Sequence, residues 1–366
     1  MERDVLGQEA GRETRQQDTQ ENTQQDTQQD AQQVRQRGGP GLGADPRPGP
    51  DGGAGGRVLV VAGTHGNERN APWLLQGQED PGGGIAASGL ALVTLIGNPE
   101  AFAAGRRYGD RDLNRSFAPE LLADANRREA EVERARALLA AHGAEGSDPC
   151  LVALDLHSTT AAMGNSLVVY GRRPADLALA AALQRELGLP IYLHEADARQ
   201  TGFLVERWPC GLVIEVGPVP QGVLSAAVVQ QSRLALEAAL AALAAARRGR
   251  LAQPRELVVH RHRVSLDLPR RADGSPLAVI HPRRQGRDWQ PLVAGDPLFL
   301  GADGGTIPYA PPPELAGETL WPVFVNEAAY GEKGIAMSLT SREIWPVPPT
   351  WAAALEPLAA RLVLQG

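Results

Sequence analysis

The 366-residue sequence contains only two cysteines, Cys150 and Cys210, too few for the disulfide framework that staples small secreted domains. Each falls inside an apolar stretch, so both are expected as buried free thiols of a cytoplasmic protein. Roughly the first fifty residues hold no apolar segment of the kind that marks a secretory leader. Long uninterrupted apolar runs are also missing. The longest apolar segment, Leu224–Ala246, is broken by Gln230, Gln231, Arg233 and Glu237, which suits an amphipathic helix rather than a membrane span. Positive charge is in deficit, with 36 Lys and Arg against 43 Asp and Glu, a net charge of -7 and a pI near 5.6. That balance argues against nucleic acid or an anionic membrane as partner, and leaves room for a local basic site that takes a small anion. Aromatic residues are scarce at 4%, partly because of the composition of the N-terminal tail.

In that tail, residues 1–56, glutamines dominate and QQDTQ at Gln16–Gln20 recurs at Gln24–Gln28, followed by a Gly/Pro-rich stretch from Gly38 to Gly56. With so little apolar surface to offset chain entropy, the tail is expected to be disordered. From Arg57 the grammar changes. RVLVVAG, ALVTLIGNP, CLVALDLHS, SLVVYG and GLVIEVGP are short apolar runs, each ending in a polar or glycine-containing loop. Helical stretches lie between and after them at Leu121–His142, Pro174–Gly188 and Leu224–Arg248. Strands alternating with helices predict an α/β domain over 57–250, built on a mixed, largely parallel sheet flanked by helices. Residues 251–347 carry short alternating segments such as ELVVHRHRVSL and PLAVIHP between Gly/Pro turns, which predicts a smaller β-rich C-terminal domain. Helical spacing over Trp351–Leu364 predicts a terminal helix within 348–366.

Polar clusters follow several of the apolar runs, where the loops of such sheets collect ligand groups. GTHGNE, Gly63–Glu68, places His65 and Glu68 three apart on a glycine-containing turn, and DLHS supplies His157 at another strand end. Two imidazoles and a carboxylate with one open position are a composition of catalytic zinc. A lone strand-end histidine is more often a hydrogen-bonded structural residue; placement after two apolar strands is what favours the metal. RRYGDRDLNRSF offers Arg106, Arg107, Arg111 and Arg115 with the amide of Asn114, groups suited to holding a carboxylate or an oxyanion. The competing reading is a solvated loop with Asp110 and Asp112 pairing the arginines, and it is preferred for Arg111. Glu215, between Ile214 and Val216 in an apolar strand, is either a structural ion-pair member or a general base whose pKa burial has raised. Val323–Lys333 adds Glu327, Tyr330 and Lys333, with Tyr330 on chemistry alone a surface-loop tyrosine. His142, His194, His260, His262 and His281 are taken as structural or exposed.

In order, GTHGNE, NPEAF, RRYGDRDLNRSF, DLHSTTAAMG, IEVGPVPQGVL, HPRRQGRDWQPLVAGDPLFL and PVFVNEAAYGEKGIA resemble the aspartoacylase family, a zinc-dependent branch of the carboxypeptidase-like fold that includes the succinylglutamate desuccinylases. The likeness runs from about Arg57 to about Thr340. It implies one zinc ion per chain on His65, Glu68 and His157, and Glu215 as catalytic carboxylate. Arg107 would polarise the scissile carbonyl, Asn114 and Arg115 would hold the α-carboxylate, and Tyr330 would contact substrate. The implied partner is a small N-acyl amino acid, foremost N-acetyl-L-aspartate, cleaved to acetate and L-aspartate; a homo-oligomer is compatible with it. One departure concerns specificity, because Phe203 stands where the family's arginine for the aspartate side chain is expected, with Arg199 or Arg207 as alternatives. An aminoacylase for aromatic or mercapturate-type substrates is therefore the nearest alternative, and a catalytically silent binding protein the alternative of another class.

Overall fold

A strand of four to nine residues that is apolar throughout is stable only where both faces are covered. That is the environment four of the five runs find, while residues 92–95, in the strand at the sheet edge, are half-buried. The computed structural model describes residues 55–77, 84–195, 197 and 200–365. All of the Gln-rich tail up to residue 54 lies outside the described residues, as does Arg199. The strands are β1 (Arg57–Ala62), β2 (Leu92–Ile96), β3 (Cys150–Ser158), β4 (Gly164–Tyr170), β5 (Ile191–His194), β6 (Cys210–Gly217), β7 (Glu256–Asp267), β8 (Ala278–Ile280), β9 (Pro297–Gly301), β10 (Thr306–Pro308), β11 (Trp321–Val323) and β12 (Ile335–Pro346). Nine of them form one sheet in the order β11-β12-β7-β5-β4-β6-β3-β1-β2. Pairing is parallel from β2 through β1 and β3 to β6. β4 runs against β6 but parallel to β5, and β5 is parallel to β7. β7, β12 and β11 finish the sheet antiparallel, while β8, β9 and β10 make a small antiparallel sheet of their own in the β-rich C-terminal region.

The helices are α1 (Asn70–Gln76), α2 (Pro99–Ala103), α3 (Pro119–Ala123), α4 (Ala130–His142), α5 (Pro174–Leu187), α6 (Ala226–Arg247), α7 (Ala328–Gly331) and α8 (Pro349–Ala360). Side chains alternate across a strand, and this parity sorts the residues into layers. Val58 and Val60 of β1, Val152, Leu154 and Leu156 of β3, and Leu212 and Ile214 of β6 enter one core with α5, α6 and α8. The intervening Leu59, Val61, Ala153 and Val213 pack on the opposite side with Phe117, Leu138 and Trp208. Asp155 and His157 share the parity of Ala153, and Glu215 that of Val213. His157 lies beside Glu215 in the β3–β6 register. The polar residues at these strand ends therefore emerge together on the face opposite α5 and α6.

The stretch Leu121–His142, expected as one helix, is two. Asp124 accepts a hydrogen bond on Oδ1 from the Asn126 amide at 2.9 Å, a side-chain turn that competes with the helical ladder. The Arg136 guanidinium then takes up the carbonyls freed at the break, donating to Leu121, Leu122, Asp124 and Arg127. α5 ends where Gly188 takes φ +69°, the left-handed cap that glycine adopts without strain. Cys150 and Cys210 are buried and free, and burial pushes the Cys150 thiol up to about 12. No helix among the described residues is long and apolar enough to cross a membrane.

Candidate metal centre and catalytic cleft

The loop leaving β1 turns at Gly63 with φ +63°, which a side chain would resist. Gly66 then packs on the start of the next segment: a Cβ there would lie 2.1 Å from the Ala101 carbonyl carbon. This close approach folds His65 and Glu68 back over the end of the sheet. His65 Nδ1 lies 2.6 Å from Glu68 Oε1, and His157 Nδ1 lies 3.1 Å from Glu68 Oε2. One donor atom from each of the three side chains lies within 4.8 Å of the others, and all three residues are buried. Zinc bonds of about 2 Å require donors within about 4 Å of one another, so small rotations of these side chains suffice to close a metal site.

Each imidazole is oriented from behind. His157 Nε2 lies 2.8 Å from Asp155 Oδ2, whose other oxygen accepts from Thr64 Oγ1 at 2.7 Å. His65 Nε2 lies 3.0 Å from Asp112 Oδ1. With Nδ1 given to a cation, His157 Nε2 carries the proton and donates it to Asp155, the usual outer support of a metal-binding histidine. The electrostatics agree with a built site. Burial alone would raise Glu68, yet His65 and His157 hold it well below the usual carboxylate range. Asp112 is likewise held low against its burial by His65 and Arg107.

Glu215 behaves in the opposite way. Burial pushes it well above its ordinary value, His157 offsets this in part, and the carboxylates of Glu68 and Glu327 add to it. A glutamate with so high a proton affinity, beside the histidines of a candidate metal site, is equipped for proton transfer.

The arginine loop is folded around a buried carboxylate. Glu131 of α4 accepts from the backbone amides of Gly109, Asp110 and Arg111 and from Asn98 Nδ2. This directs Arg107 inward, where NH2 donates to Asp112 Oδ2 at 3.1 Å and lies 2.8 Å from His65 Nε2, with NH1 3.6 Å from Glu68 Oε1. Arg111 faces away and pairs with Glu129 at 3.7 Å. Arg106 is exposed. Asn114 is buried, its Oδ1 accepting from the Leu204 amide at 2.8 Å. Arg115 donates to the Asn114 carbonyl at 2.7 Å and to Gln200 Oε1 at 2.8 Å, and its guanidinium lies 4.2 Å above the Phe203 ring. Its Nε is buried with no partner among the described residues.

Tyr330, read from chemistry alone as a surface tyrosine, is buried and lines the cleft. The segment that carries it is tied to the β3 loop by Glu327, whose carboxylate accepts from the Thr159 and Thr160 hydroxyls and the Thr160 and Ala161 amides. His65, Glu68, Arg107, Asn114, Arg115, His157, Glu215 and Tyr330 thus border one cleft that opens to solvent.

Sequence reasoning singled out Phe203 but missed its neighbours in this cleft. Tyr170 and Phe203 stack at 3.7 Å, His194 meets Phe203 edge-on at 5.1 Å, and Gln200 also lines the cleft. Phe203 therefore occupies the cleft, while Arg207 is exposed and does not line it. Asp155 carried a usable signal, because two residues before His157 on a strand means the same face. Gln200 and His194 carried none, since their neighbours come from distant segments.

Comparison with known proteins bears on this cleft. Residues 54–243 match the succinylglutamate desuccinylase/aspartoacylase catalytic domain and residues 255–342 the AstE/AspA barrel-sandwich hybrid domain. A protein of Parasynechococcus marenigrum (strain WH8102) named "probable aspartoacylase" is 61% identical over 301 residues, covering 82% of this chain and 98% of that protein. One of the same name from Prochlorococcus marinus (strain MIT 9313) is 57% identical over 302 residues, with the same two coverages. Among solved structures, murine aminoacylase 3 is 32% identical with a TM-score of 0.68, over 80% of this chain and 97% of that one. Succinylglutamate desuccinylase from Chromobacterium violaceum, at 18% identity and a TM-score of 0.51 over 80% of this chain and 85% of that one, shares the fold.

Proposed function

The chain belongs to the succinylglutamate desuccinylase/aspartoacylase family and is an amidohydrolase of N-acyl amino acids; from that premise we propose that its metal is zinc, one ion per chain, and its substrate N-acetyl-L-aspartate. The observation that carries the metal reading is the convergence of His65, Glu68 and His157 donor atoms within 4.8 Å. These three residues would hold the ion, which when bound supplies Lewis-acid polarisation of a carbonyl and a water acidic enough to ionise near neutral pH.

The remaining chemistry belongs to the chain. Glu215 accepts the proton from the attacking water on its carboxylate and passes it to the nitrogen of the departing amine. Its raised proton affinity suits both transfers. Arg107 points a guanidinium at the scissile carbonyl and stabilises the charge that develops on its oxygen. Arg115, whose buried Nε has no partner among the described residues, receives the amino acid's α-carboxylate together with the Asn114 and Tyr330 side chains. The two buried free thiols support a reducing, cytoplasmic setting.

N-acetyl-L-aspartate is favoured by the names of relatives that match this chain over nearly their whole length. A second reading rests on the Tyr170–Phe203 stack, an apolar wall that suits an aromatic amino acid side chain better than a carboxylate.

The test is turnover by the zinc-loaded chain of N-acetyl-L-aspartate, N-acetyl-L-phenylalanine and an S-aryl-N-acetyl-L-cysteine. A kcat/KM at least tenfold higher for the aspartate derivative supports the first reading, and the reverse order selects the second. Turnover of none of them by a fully loaded preparation defeats both.

A further inference from the structure

Arg115 and Tyr330 approach the cleft from segments more than two hundred positions apart, yet one ring of hydrogen bonds joins them. The Tyr330 hydroxyl lies 3.4 Å from Ser338 Oγ on β12, and Ser338 Oγ lies 3.3 Å from the Tyr192 hydroxyl on β5. That hydroxyl is 3.0 Å from His194 Nδ1 and 3.0 Å from His262 Nδ1 of β7. His194 Nε2 is 3.3 Å from the Gln200 carbonyl oxygen. Gln200 Oε1 accepts from Arg115, and the Gln200 side chain also bonds Tyr330. Tyr192, His194, Gln200, His262 and Ser338 are all buried.

A carbonyl oxygen only accepts, so His194 Nε2 carries a hydrogen. In a neutral ring Nδ1 is then bare and faces the Tyr192 hydroxyl, which also reaches Ser338 Oγ. The same hydroxyl meets His262 Nδ1, and His262 Nε2 lies 3.7 Å from Asp197 Oδ2. Burial and the neighbouring His262 lower His194 to about 4, which agrees with the neutral ring. Asp197 in turn accepts from Ser265 Oγ at 3.2 Å and from Gln200 Nε2 at 3.4 Å. The members are buried and hydrogen-bonded to one another, so turning Tyr192 or His194 away costs a buried hydrogen bond.

We infer that Tyr192, His194, Gln200 and Ser338 are positioning residues: a buried hydrogen-bonded ring that fixes Arg115 and Tyr330 in one geometry for the substrate carboxylate. None of the four is among the metal donors or in contact with Glu215 through a hydrogen bond given above. Their effect therefore falls on substrate binding. The inference rests on the proposed roles of Arg115 and Tyr330 as carboxylate-binding groups.

Two isosteric or near-isosteric variants of the full-length zinc-loaded chain, Tyr192→Phe and Ser338→Ala, test it with two readouts. In steady-state kinetics on the preferred N-acetyl amino acid, KM should rise about tenfold in each, while kcat stays within about threefold and zinc content is unchanged. An unchanged KM in both variants overturns the inference, as does a matched fall of kcat with loss of zinc, which marks a merely structural role. The second readout needs no turnover. The 15N side-chain signal of Arg115 Nε–H, assigned through Arg115→Lys, should shift in Tyr192→Phe without substrate present. An Arg115 signal identical to wild type overturns the inference. If wild type hydrolyses no N-acyl amino acid, the proposed function has failed, and the Arg115 signal still decides whether the ring exists.

Discussion

Replacing Glu215 by glutamine keeps the shape of the side chain and removes its capacity to accept a proton. Loss of a positioned general base costs about 10²–10⁴ in rate. The upper part of that range applies here because no other carboxylate nearby is at liberty. Glu68 is engaged by both imidazoles, and Glu327 is saturated by Thr159, Thr160 and Ala161. We therefore expect Glu215→Gln to lower kcat about 10³-fold or more. Zinc content should stay at one per chain, since the donor triad is intact. Stability should not fall, because burial disfavours ionisation of this carboxyl and glutamine carries no charge to desolvate. The assay is steady-state kinetics on the preferred substrate, with metal analysis and a melting curve of the same preparation. Retention of more than a tenth of wild-type kcat would refute the proton-transfer role. Loss of zinc together with activity would move Glu215 into the metal's structural support.

Three other outcomes follow from particular contacts. Asp155→Asn removes the carboxylate behind His157 Nε2 and should weaken zinc affinity by about 10–100-fold, read by competition with a chelator; an unchanged affinity would deny Asp155 that part. Arg115→Lys loses the planar fork and should raise KM about tenfold with kcat little changed, whereas an equal loss in kcat would place Arg115 at the reacting carbonyl. His260, lowered from 6.5 to about 4 by burial and then by Arg342, binds its proton less readily when folded than when unfolded. Its contribution is full above pH 6.5 and is lost as pH falls toward about 4, at most about 3 kcal/mol. His260→Gln should flatten the pH dependence of urea unfolding across that window, and a dependence parallel to wild type would count against it.

The fold was legible where a local rule decided it. Short apolar runs can sit only in a doubly covered sheet, and the period of two carried Asp155, His157 and Glu215 to a common face. The convergence of His65, Glu68 and His157 was legible because the His65–Glu68 spacing and the strand-end placement of His157 are sequence properties. The break in Leu121–His142 was not. Helical periodicity continues through it, and the Asp124 turn wins only because Arg136, a residue from the next helix, collects the freed carbonyls. The aromatic wall and the hydrogen-bonded ring were hidden for a related reason. His194 becomes meaningful only when β5 lies between β4 and β7, bringing Tyr170, Phe203 and His262 against it. Tyr330 looked like a loop tyrosine because nothing nearby in sequence reveals that Glu327 pins its segment over Thr159 and Thr160.

Zinc X-ray absorption on the metal-loaded chain measures the claim beneath all of this. Two imidazole nitrogens and carboxylate or water oxygen at about 2.0–2.2 Å, with one nitrogen lost in His157→Ala, is the result this account requires. A sulfur contribution near 2.3 Å, or a wild-type spectrum unaltered by His157→Ala, would contradict it.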